Sequence, residues 1–238
     1  MSKEVRRGLL EMLTVNQYYQ KYLKGKEGLE VVSNIHELRD EIEKLKETIE
    51  NPNNNRNILD NERNLMQVLR EYHCKAEETL LNLGENYTPS KLEQQDVDFN
   101  ENLYALAKVT LSQHCFLGTS YDCEIELQDN CLKIEVSTFP LLVDEKSSRP
   151  KLEPYSEHLY NKDRFLSEMK ELHIGEWREE YDIERFGCIV MDGVQWDLEF
   201  DFSNGFGPIT INGNNSYPYN FNEFEKLFEI DFGLYEDI

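Results

Sequence analysis

The chain has 238 residues, of which 39% are hydrophobic and 11% aromatic. It is therefore large and apolar enough to bury a core, and disorder of the whole chain is excluded. It has no apolar run of about 18 residues for a membrane helix, and residues 1 to 8 lack the apolar stretch of a signal peptide. We expect a cytoplasmic protein that does not bind membranes.

The net charge of −22 is unevenly distributed. Residues 1 to 80 carry 13 basic and 15 acidic side chains, whereas residues 81 to 238 carry 12 and 32. A surface of this sign repels phosphate backbones, so direct binding of nucleic acid is disfavoured. We expect instead a basic protein partner, one that itself binds nucleic acid.

The cysteines are odd in number, with no C-x-x-C pair, which argues against a disulfide framework and against a structural zinc site. Two His-Cys pairs, His73-Cys74 and His114-Cys115, make a four-ligand metal site conceivable. Adjacent residues point to different faces of a helix, so ordinary burial is the preferred interpretation. We predict neither a metal nor a cofactor.

Residues 1 to 84 are predicted to form a helical region. A heptad seam and a second helical stripe, separated by an Asn-Pro-Asn-Asn-Asn break and closed by Gly84, indicate an antiparallel helix hairpin. A third helix is expected over residues 4 to 23. The seam residues are Ile35, Leu38, Ile42, Leu45 and Ile49; the second stripe is Leu65, Leu69, Tyr72, Ala76, Leu80 and Leu83.

The heptad seam permits two interpretations. Packing within one chain is preferred because the repeat is short, and a homodimer through the N-terminal helices is the alternative.

Residues 85 to 238 are predicted to form an acidic α+β domain. Residues 85 to 98 fit either a linker or a helix, and the apolar spacing over residues 100 to 113 predicts a helix. Alternation with a period of two then predicts a hairpin closed by Asp129-Asn130. Its register places Leu127 opposite Leu132, Ile125 opposite Ile134 and Cys123 opposite Val136.

A proline-rich loop is predicted over residues 139 to 158, followed by a helix over residues 161 to 173 with Phe165, Met169 and Leu172 inward. If helix resumes after Gly175, Trp177 and Tyr181 lie one above the other.

The segment from 186 to 238 is predicted to form a three-stranded meander capped by a helix. Asp192-Gly193 and Asn204-Gly205 are hairpin turn signals, and Asn204-Gly205 implies positive φ at both residues. The second turn pairs Phe200 with Ile209 and Leu198 with Ile211. The first places a strand at residues 188 to 191 beside Val194 and Trp196, and the final helix begins near Asn222, with Phe224, Leu227 and Phe228 on the sheet.

Residues 172 to 228 contain three motifs, L-H-I-G-E-W-x-x-x-Y, D-G-x-x-W-x-L and G-N-N-x-Y-P-Y-N-F, which include Trp177, Trp196 and Tyr217-Pro218. The segment resembles a C-terminal module of uncharacterised proteins of bacterial mobile elements and phages. The resemblance covers about a quarter of the chain and implies no activity. It implies a genomic context in which proteins often antagonise host defence systems.

Acidic residues on the predicted strands form the first candidate site. Three carboxylates project to one side of a strand at spacings of about 6.6 to 6.8 Å, comparable with consecutive phosphates of a nucleic acid. A second strand repeats the pattern, and there Glu124 faces Glu135, a like-charge pair that costs stability. The alternative is a solvated sheet face that charge keeps soluble and protects from edge pairing. The candidates are Asp197, Glu199, Asp201, Asp122, Glu124, Glu126 and Glu135.

A loop with Asn214, Asn215, Tyr217 and Tyr219 is the second candidate, because tyrosine and asparagine suit recognition. The alternative is a turn whose Tyr217-Pro218 packs on the sheet. No catalytic motif is present: G-x-S-x-G, H-E-x-x-H, the P-loop and G-x-G-x-x-G are all missing.

Together these patterns predict an α+β fold, a helical N-terminal region followed by an antiparallel sheet with flanking helices. The preferred function is a non-enzymatic antagonist that occupies the basic, nucleic-acid-binding surface of a partner, such as a bacterial defence nuclease of the CRISPR or restriction type. A hydrolase or nucleotide-processing enzyme and a self-associating structural or adaptor protein are the alternatives.

Overall fold

The computed structural model describes residues 13 to 54, 56 to 116, 119 to 128, 132 to 140, 161 to 190 and 193 to 227. The chain divides into two compact units, Met1–Pro89 and Ser90–Ile238. Helices form the described part of the first unit, and the second combines helices with a six-stranded, mostly antiparallel sheet. The predicted α+β class is confirmed.

The first unit is built on a helix hairpin. Helix α1 is Val15–Tyr18 and continues as a π-helical turn, Tyr19–Leu23; α2 is Gly28–Glu50 and α3 is Arg56–Asn82. Helices α2 and α3 pack together, as predicted. The start of the helix predicted over residues 4 to 23 lies outside the described residues.

The heptad seam belongs to the core of this chain. All five seam residues of α2 are buried, as are Leu69, Tyr72, Ala76 and Leu80 of α3. Gly84 takes a φ of 79° just after α3, a conformation that glycine adopts without steric cost. A homodimer through the N-terminal helices stays a prediction, and it would have to use residues other than the seam.

The second unit begins with helix α4, Lys91–Asn102, followed by a 3₁₀ turn and strand β1, Leu106–Cys115. The predicted helix over residues 100 to 113 is therefore wrong. The Ser90 hydroxyl and the Glu93 carboxylate cap α4, which begins inside the segment left open between linker and helix. Beyond Leu106 the chain pairs with two neighbouring strands, and this tertiary pairing outweighs the helical spacing of its leucines.

The sheet has the order β3-β2-β1-β5-β6-β4, and only the β4–β6 pair is parallel. The remaining elements are β2 (Thr119–Leu127), β3 (Leu132–Pro140), α5 (Lys162–Glu171), β4 (Glu180–Asp182), β5 (Val194–Phe202), β6 (Ile209–Asn214) and α6 (Phe221–Lys226).

Two of the three predicted hairpin registers are confirmed. Leu127 pairs with Leu132, Ile125 with Ile134 and Cys123 with Val136, while Phe200 pairs with Ile209 and Leu198 with Ile211. The predicted Asp129-Asn130 turn lies outside the described residues. Most of the predicted loop at 139 to 158 also lies outside them, except that residues 139 and 140 end strand β3.

The turn after β5 differs from the prediction. Gly205 has a φ of 87°, but Asn204 does not take a positive φ, and its side chain accepts a hydrogen bond from the Phe206 amide. Ser203 donates its amide to the Ala105 carbonyl. The predicted register is therefore kept, but the turn has one residue with a positive φ and not the two expected of a two-residue hairpin.

The predicted meander is wrong at its first strand. Residues 188 to 190 are not in a strand, and residues 191 and 192 lie outside the described ranges. Strand β1 takes the predicted place beside β5, and Ile189, within the predicted strand, is 84% exposed. The central strand of the sheet thus comes from a segment that precedes β5 by almost 90 residues along the chain.

One face of the sheet carries the aromatic core. The ring of Phe200 contacts Phe99 of α4 and Phe224 of α6, with centroid distances of 5.4 and 6.2 Å. Helix α5 buries Phe165, Met169 and Leu172, as predicted. The α6 helix starts beside the predicted Asn222 and buries Phe224 and Leu227, while Phe228 lies outside the described residues.

Trp177 and Tyr181 do not stack on one helix, because helix does not resume after Gly175. A 3₁₀ turn, Ile174–Glu176, leads instead to β4, which pairs with β6. Trp177 packs on Phe224 at 5.4 Å, whereas Tyr181 packs on Trp196 at 6.0 Å.

Among the described residues, none of the helices combines the length and the hydropathy needed to cross a bilayer. The cytoplasmic location stays a prediction.

Gly175 lets the 3₁₀ turn approach α4. A Cβ at this position would lie 2.4 Å from the Cα of Asp96, so the backbone has to move if a side chain is added. We expect Gly175→Ala to lower the free energy of unfolding by about 1 to 3 kcal/mol, measured by denaturant unfolding. Gly207→Ala is the matched control, because nothing lies within 4 Å of a Cβ there. Equal stability of the two variants would contradict the close approach.

Cys123 makes the fold sensitive to alkaline pH. Burial raises the pKa of its thiol from 9.0 to about 12. Between these values the unfolded chain holds fewer protons than the folded chain, so the free energy of unfolding falls as pH rises, by at most about 1.4 kcal/mol per pH unit. We expect Cys123→Val to reduce this slope in urea unfolding from about pH 8 to about pH 11. The partly exposed Cys188, replaced by serine, serves as control and should keep the wild-type slope.

Candidate protein-binding face of the sheet

The two predicted acidic triads lie on the same face of one sheet. Strand β1 separates them and pairs with both: Ser112 lies between Asp122 and Asp197, Thr110 between Glu124 and Glu199, and Lys108 between Glu126 and Asp201. We call Asp122, Glu124 and Glu126 the β2 row, and Asp197, Glu199 and Asp201 the β5 row. Sequence analysis predicted each row but not that they are neighbours.

The pairing fixes the spacing of the two rows. Carboxylates within a row are two residues apart, about 6.6 to 6.8 Å along the strand. The rows are two strand spacings apart, about 9.6 Å, and strand twist rotates one against the other by about 40 to 50°. The six carboxylates therefore form two short lines, one on each side of Thr110, that are rotated relative to each other.

This face, which we call the open face, is accessible to solvent. Asp197, Glu199 and Glu135 are exposed, and the rest of the two rows is partly exposed. The alternate residues of the same strands point to the core, where Val109, Cys123 and Leu198 have no exposed surface. Strand alternation thus sends charge to one side and the apolar residues to the other.

Two lysines neutralise the β2 side of the open face. Lys108 Nζ lies 2.6 Å from Glu124 Oε2, and Lys133 Nζ lies 2.6 Å from Glu135 and 3.8 Å from Glu126. The hydrogen bond with Glu124 raises the pKa of Lys108, and that with Lys133 lowers the pKa of Glu135. These carboxylates are consequently held in ion pairs within the chain.

The repulsion expected between Glu124 and Glu135 is relieved in this way. The two residues are opposite each other, as predicted, but each is bound to a different lysine. This pair therefore gives no separate indication of a binding role.

The β5 row has different surroundings. Among the described residues, no cationic group lies within 4.0 Å of Asp197, Glu199 or Asp201, and the same holds for Asp122. The cross-strand neighbours of Asp197 and Glu199 are neutral: Ser112 and Asn212 flank the first, and Thr110 and Thr210 flank the second. The β5 row is thus the part of the open face where charge is least compensated.

Edge protection does not account for either row. Strands β2 and β5 each have hydrogen-bonded neighbours on both sides, and the edges of the sheet are β3 and β4. Charge that blocks unwanted pairing is needed at an edge strand, not at these two.

The second candidate, the loop after β6, is tied to the core. Asn215, with a φ of 52°, accepts a hydrogen bond from the Val194 amide and donates to Asn214. The Tyr217 ring stacks on Trp196 at 5.8 Å, and Tyr219 is 6% exposed. These contacts agree with the alternative interpretation, in which the loop is a turn packed on the sheet. A recognition role for the four side chains stays a prediction.

The His-Cys pairs lie in different units, His73-Cys74 on α3 and His114-Cys115 at the end of β1. His73 packs edge-on against Tyr87 at 5.9 Å, and His114 is exposed on the open face. Neither pair belongs to the one group of metal-ligating side chains found among the described residues.

A cleft of about 400 Å³ also lies in the second unit, beside β6. Its walls combine apolar side chains with polar groups from α4 and from the segments around β4 and β6. The lining includes Asp98, Trp177, Glu179, Phe206, Ile209 and Ile211.

Sequence analysis missed the outward residues of β1, namely Lys108, Thr110 and Ser112. The predicted helix hid their alternation with Val109, Leu111 and the buried Gln113. The β-branched pair Val109-Thr110 was the available signal for a strand, but the leucine spacing outweighed it.

Lys108 should stabilise the sheet through charge. Removing it in Lys108→Gln leaves Glu124, Glu126 and Asp201 facing one another, so we expect a lower melting temperature at low salt. The loss should shrink as salt rises, because these side chains are exposed and therefore screened. The double variant with Glu124→Gln should recover part of the loss. A loss that is independent of salt would indicate packing of the lysine stem instead.

Comparison of this chain with family models, with curated proteins and with solved structures found no match. The resemblance to a module of mobile-element proteins therefore stays a prediction, and function has to be argued from the geometry of the sheet.

Proposed function

We propose that this chain is a non-catalytic binding protein whose open face occupies a basic, nucleic-acid-binding surface of a partner protein. The observation that carries the proposal is the β5 row beside the β2 row, because Asp197 and Glu199 have neutral cross-strand neighbours and no described cation within 4.0 Å. On strands β1, β2, β3 and β5 this face carries seven carboxylates, the two rows and Glu135, and two lysines, Lys108 and Lys133, a balance of −5. A surface with this excess attracts clustered lysines and arginines and repels phosphate.

The spacing of the carboxylates supports a partner that normally binds nucleic acid. Side chains about 6.6 to 6.8 Å apart resemble a line of backbone phosphates, and two lines at an angle present such charges over a surface rather than along one edge. Arginine recognises carboxylates and phosphates through the same bidentate hydrogen bonds. A groove rich in arginine would therefore accept the open face in place of its usual ligand.

The partner class follows from the predicted resemblance to mobile-element and phage proteins. Such proteins often act against host defence, so a CRISPR effector or a restriction enzyme is the partner to test first. Blocking a nuclease groove requires affinity and a matching field but no catalytic group.

The enzyme alternative would use the cleft beside β6, whose walls combine apolar side chains with the carboxylates of Asp98 and Glu179. A hydrolase or nucleotide-processing site would need carboxylates in that cleft to converge on a bound substrate. Loss of function in Asp98→Asn and Glu179→Gln, with the open face intact, would favour this alternative.

Binding should depend on the β5 row and on salt. The variant Asp197→Asn, Glu199→Gln, Asp201→Asn removes three negative charges without changing side-chain size. We expect it to weaken binding to a partner captured from the native host at low salt by about tenfold or more. Affinity of the unaltered chain should itself fall as salt rises, because the attraction is screened.

The matched control is Glu101→Gln, Glu171→Gln, Glu184→Gln, which changes the net charge equally at exposed positions outside the sheet. The control should bind like the unaltered chain. In a separate competition assay, the unaltered chain should displace a labelled nucleic-acid duplex from the partner. Equal affinity of the two triple variants, or failure to displace the duplex, would overturn the proposal.

A further inference from the structure

A cluster of three metal-ligating side chains lies in the second unit, away from the open face. Asp96 comes from α4, His173 follows α5, and Glu176 ends the next 3₁₀ turn. One potential ligand atom from each lies within 4.8 Å of the others. Asp96 and His173 are 77 positions apart along the chain, so the fold and not the local sequence brings Asp96 to the other two residues.

Asp96 is the buried member of the cluster. The residue is only 7% exposed, and its Oδ2 lies 2.8 Å from His173 Nδ1. Oδ1 is fully buried and has no hydrogen-bond partner among the described residues. A buried carboxylate oxygen without a partner is costly, because it has lost its water and gained nothing in exchange.

The backbone around the cluster is held in an unusual arrangement. His173 takes a φ of 51°, in the left-handed region that a non-glycine residue rarely adopts, and this conformation ends α5. Two residues later Gly175 lies so close to the Asp96 backbone that no Cβ fits. Together these features bring the imidazole and the Glu176 carboxylate to the same side of α4.

We propose that Asp96, His173 and Glu176 bind a divalent transition-metal ion of the Zn²⁺ or Mn²⁺ type. Imidazole nitrogen and carboxylate oxygen are the ligands these ions take in proteins. Two carboxylates and a neutral imidazole carry a charge of −2, which the ion balances, and Asp96 Oδ1 gains a partner. Because His173 and Glu176 are partly exposed, water completes the coordination.

The ion has a structural role in this arrangement. It ties α4 to the turn that leads into β4, and thereby fixes elements that cover the core face of the sheet. The three ligands do not line the cleft beside β6, although their neighbours Gln95, Ile174 and Gly175 do. The proposal is independent of the open face and of its partner.

The test uses the full chain, stripped of metal with a chelator that is then removed. Zn²⁺, Mn²⁺ and Co²⁺ are each titrated while the melting temperature and the bound metal are measured. We expect one ion per chain and a melting temperature that rises with ion concentration. The Co²⁺ complex should show visible absorption without a thiolate charge-transfer band, because the site contains no cysteine.

Variants distinguish this cluster from other sites. Asp96→Asn and Glu176→Gln should each weaken binding about tenfold or more. Asp98→Asn is the matched control, since it removes a carboxylate two positions along the same helix and should bind normally. Glu176→Gln keeps the test valid if the buried Asp96 variant fails to fold.

Three results would overturn the proposal. One is no bound metal and no change in melting temperature. Another is binding that Glu176→Gln leaves unaltered. The third is a thiolate band, which would place the ion on cysteines instead. Any of these would mean that Asp96 and His173 form a hydrogen bond that only positions α4.

Discussion

The pairing of β1 with both β2 and β5 is the constraint on which the second unit depends. Without β1 the two hairpins would be separate ribbons, and neither would have a continuous core face. With it, six strands share one sheet, and the alternation of each strand is aligned with that of its neighbours. The same hydrogen bonds therefore build the aromatic core on one side and assemble both carboxylate rows on the other.

The lysines make the open face asymmetric. Lys108 and Lys133 pair with the carboxylates of β2 and β3, where rows on adjacent strands would otherwise repel at short range. In the β5 row, Asp197 and Glu199 have neutral neighbours on β6, and Asp201 lies opposite Lys108 on β1, so the row tolerates its charge without close ion pairs. The ion pairs are therefore found where carboxylates on adjacent strands are close together, on β2 and β3. The carboxylates without such pairs lie toward the β5 side of the open face.

The sequence predicted the elements whose stabilising contacts are close along the chain, and missed those whose contacts are distant. Hairpin registers such as Leu198 with Ile211 are local and follow from alternation and turn position, so they were predictable. Strand β1 was not, because the leucines at 103, 106 and 111 fit a helix and the strands that override this lie far along the chain. The cluster of Asp96 with His173 and Glu176 was hidden for the same reason, although Gly175 marked a close approach of backbones.

Folding of the sheet does not require the carboxylates of the β5 row. Aspartate and glutamate are depleted in strands, so Asp197, Glu199 and Asp201 occupy positions where threonine would favour the sheet more. They do not guard an edge, and no described cation within 4.0 Å stabilises them. The core of Trp196, Phe200 and Phe224 offsets such a cost, since aromatic burial on the opposite face does not depend on what faces the solvent. A charge pattern that folding tolerates without requiring it supports the proposed interaction with a partner protein.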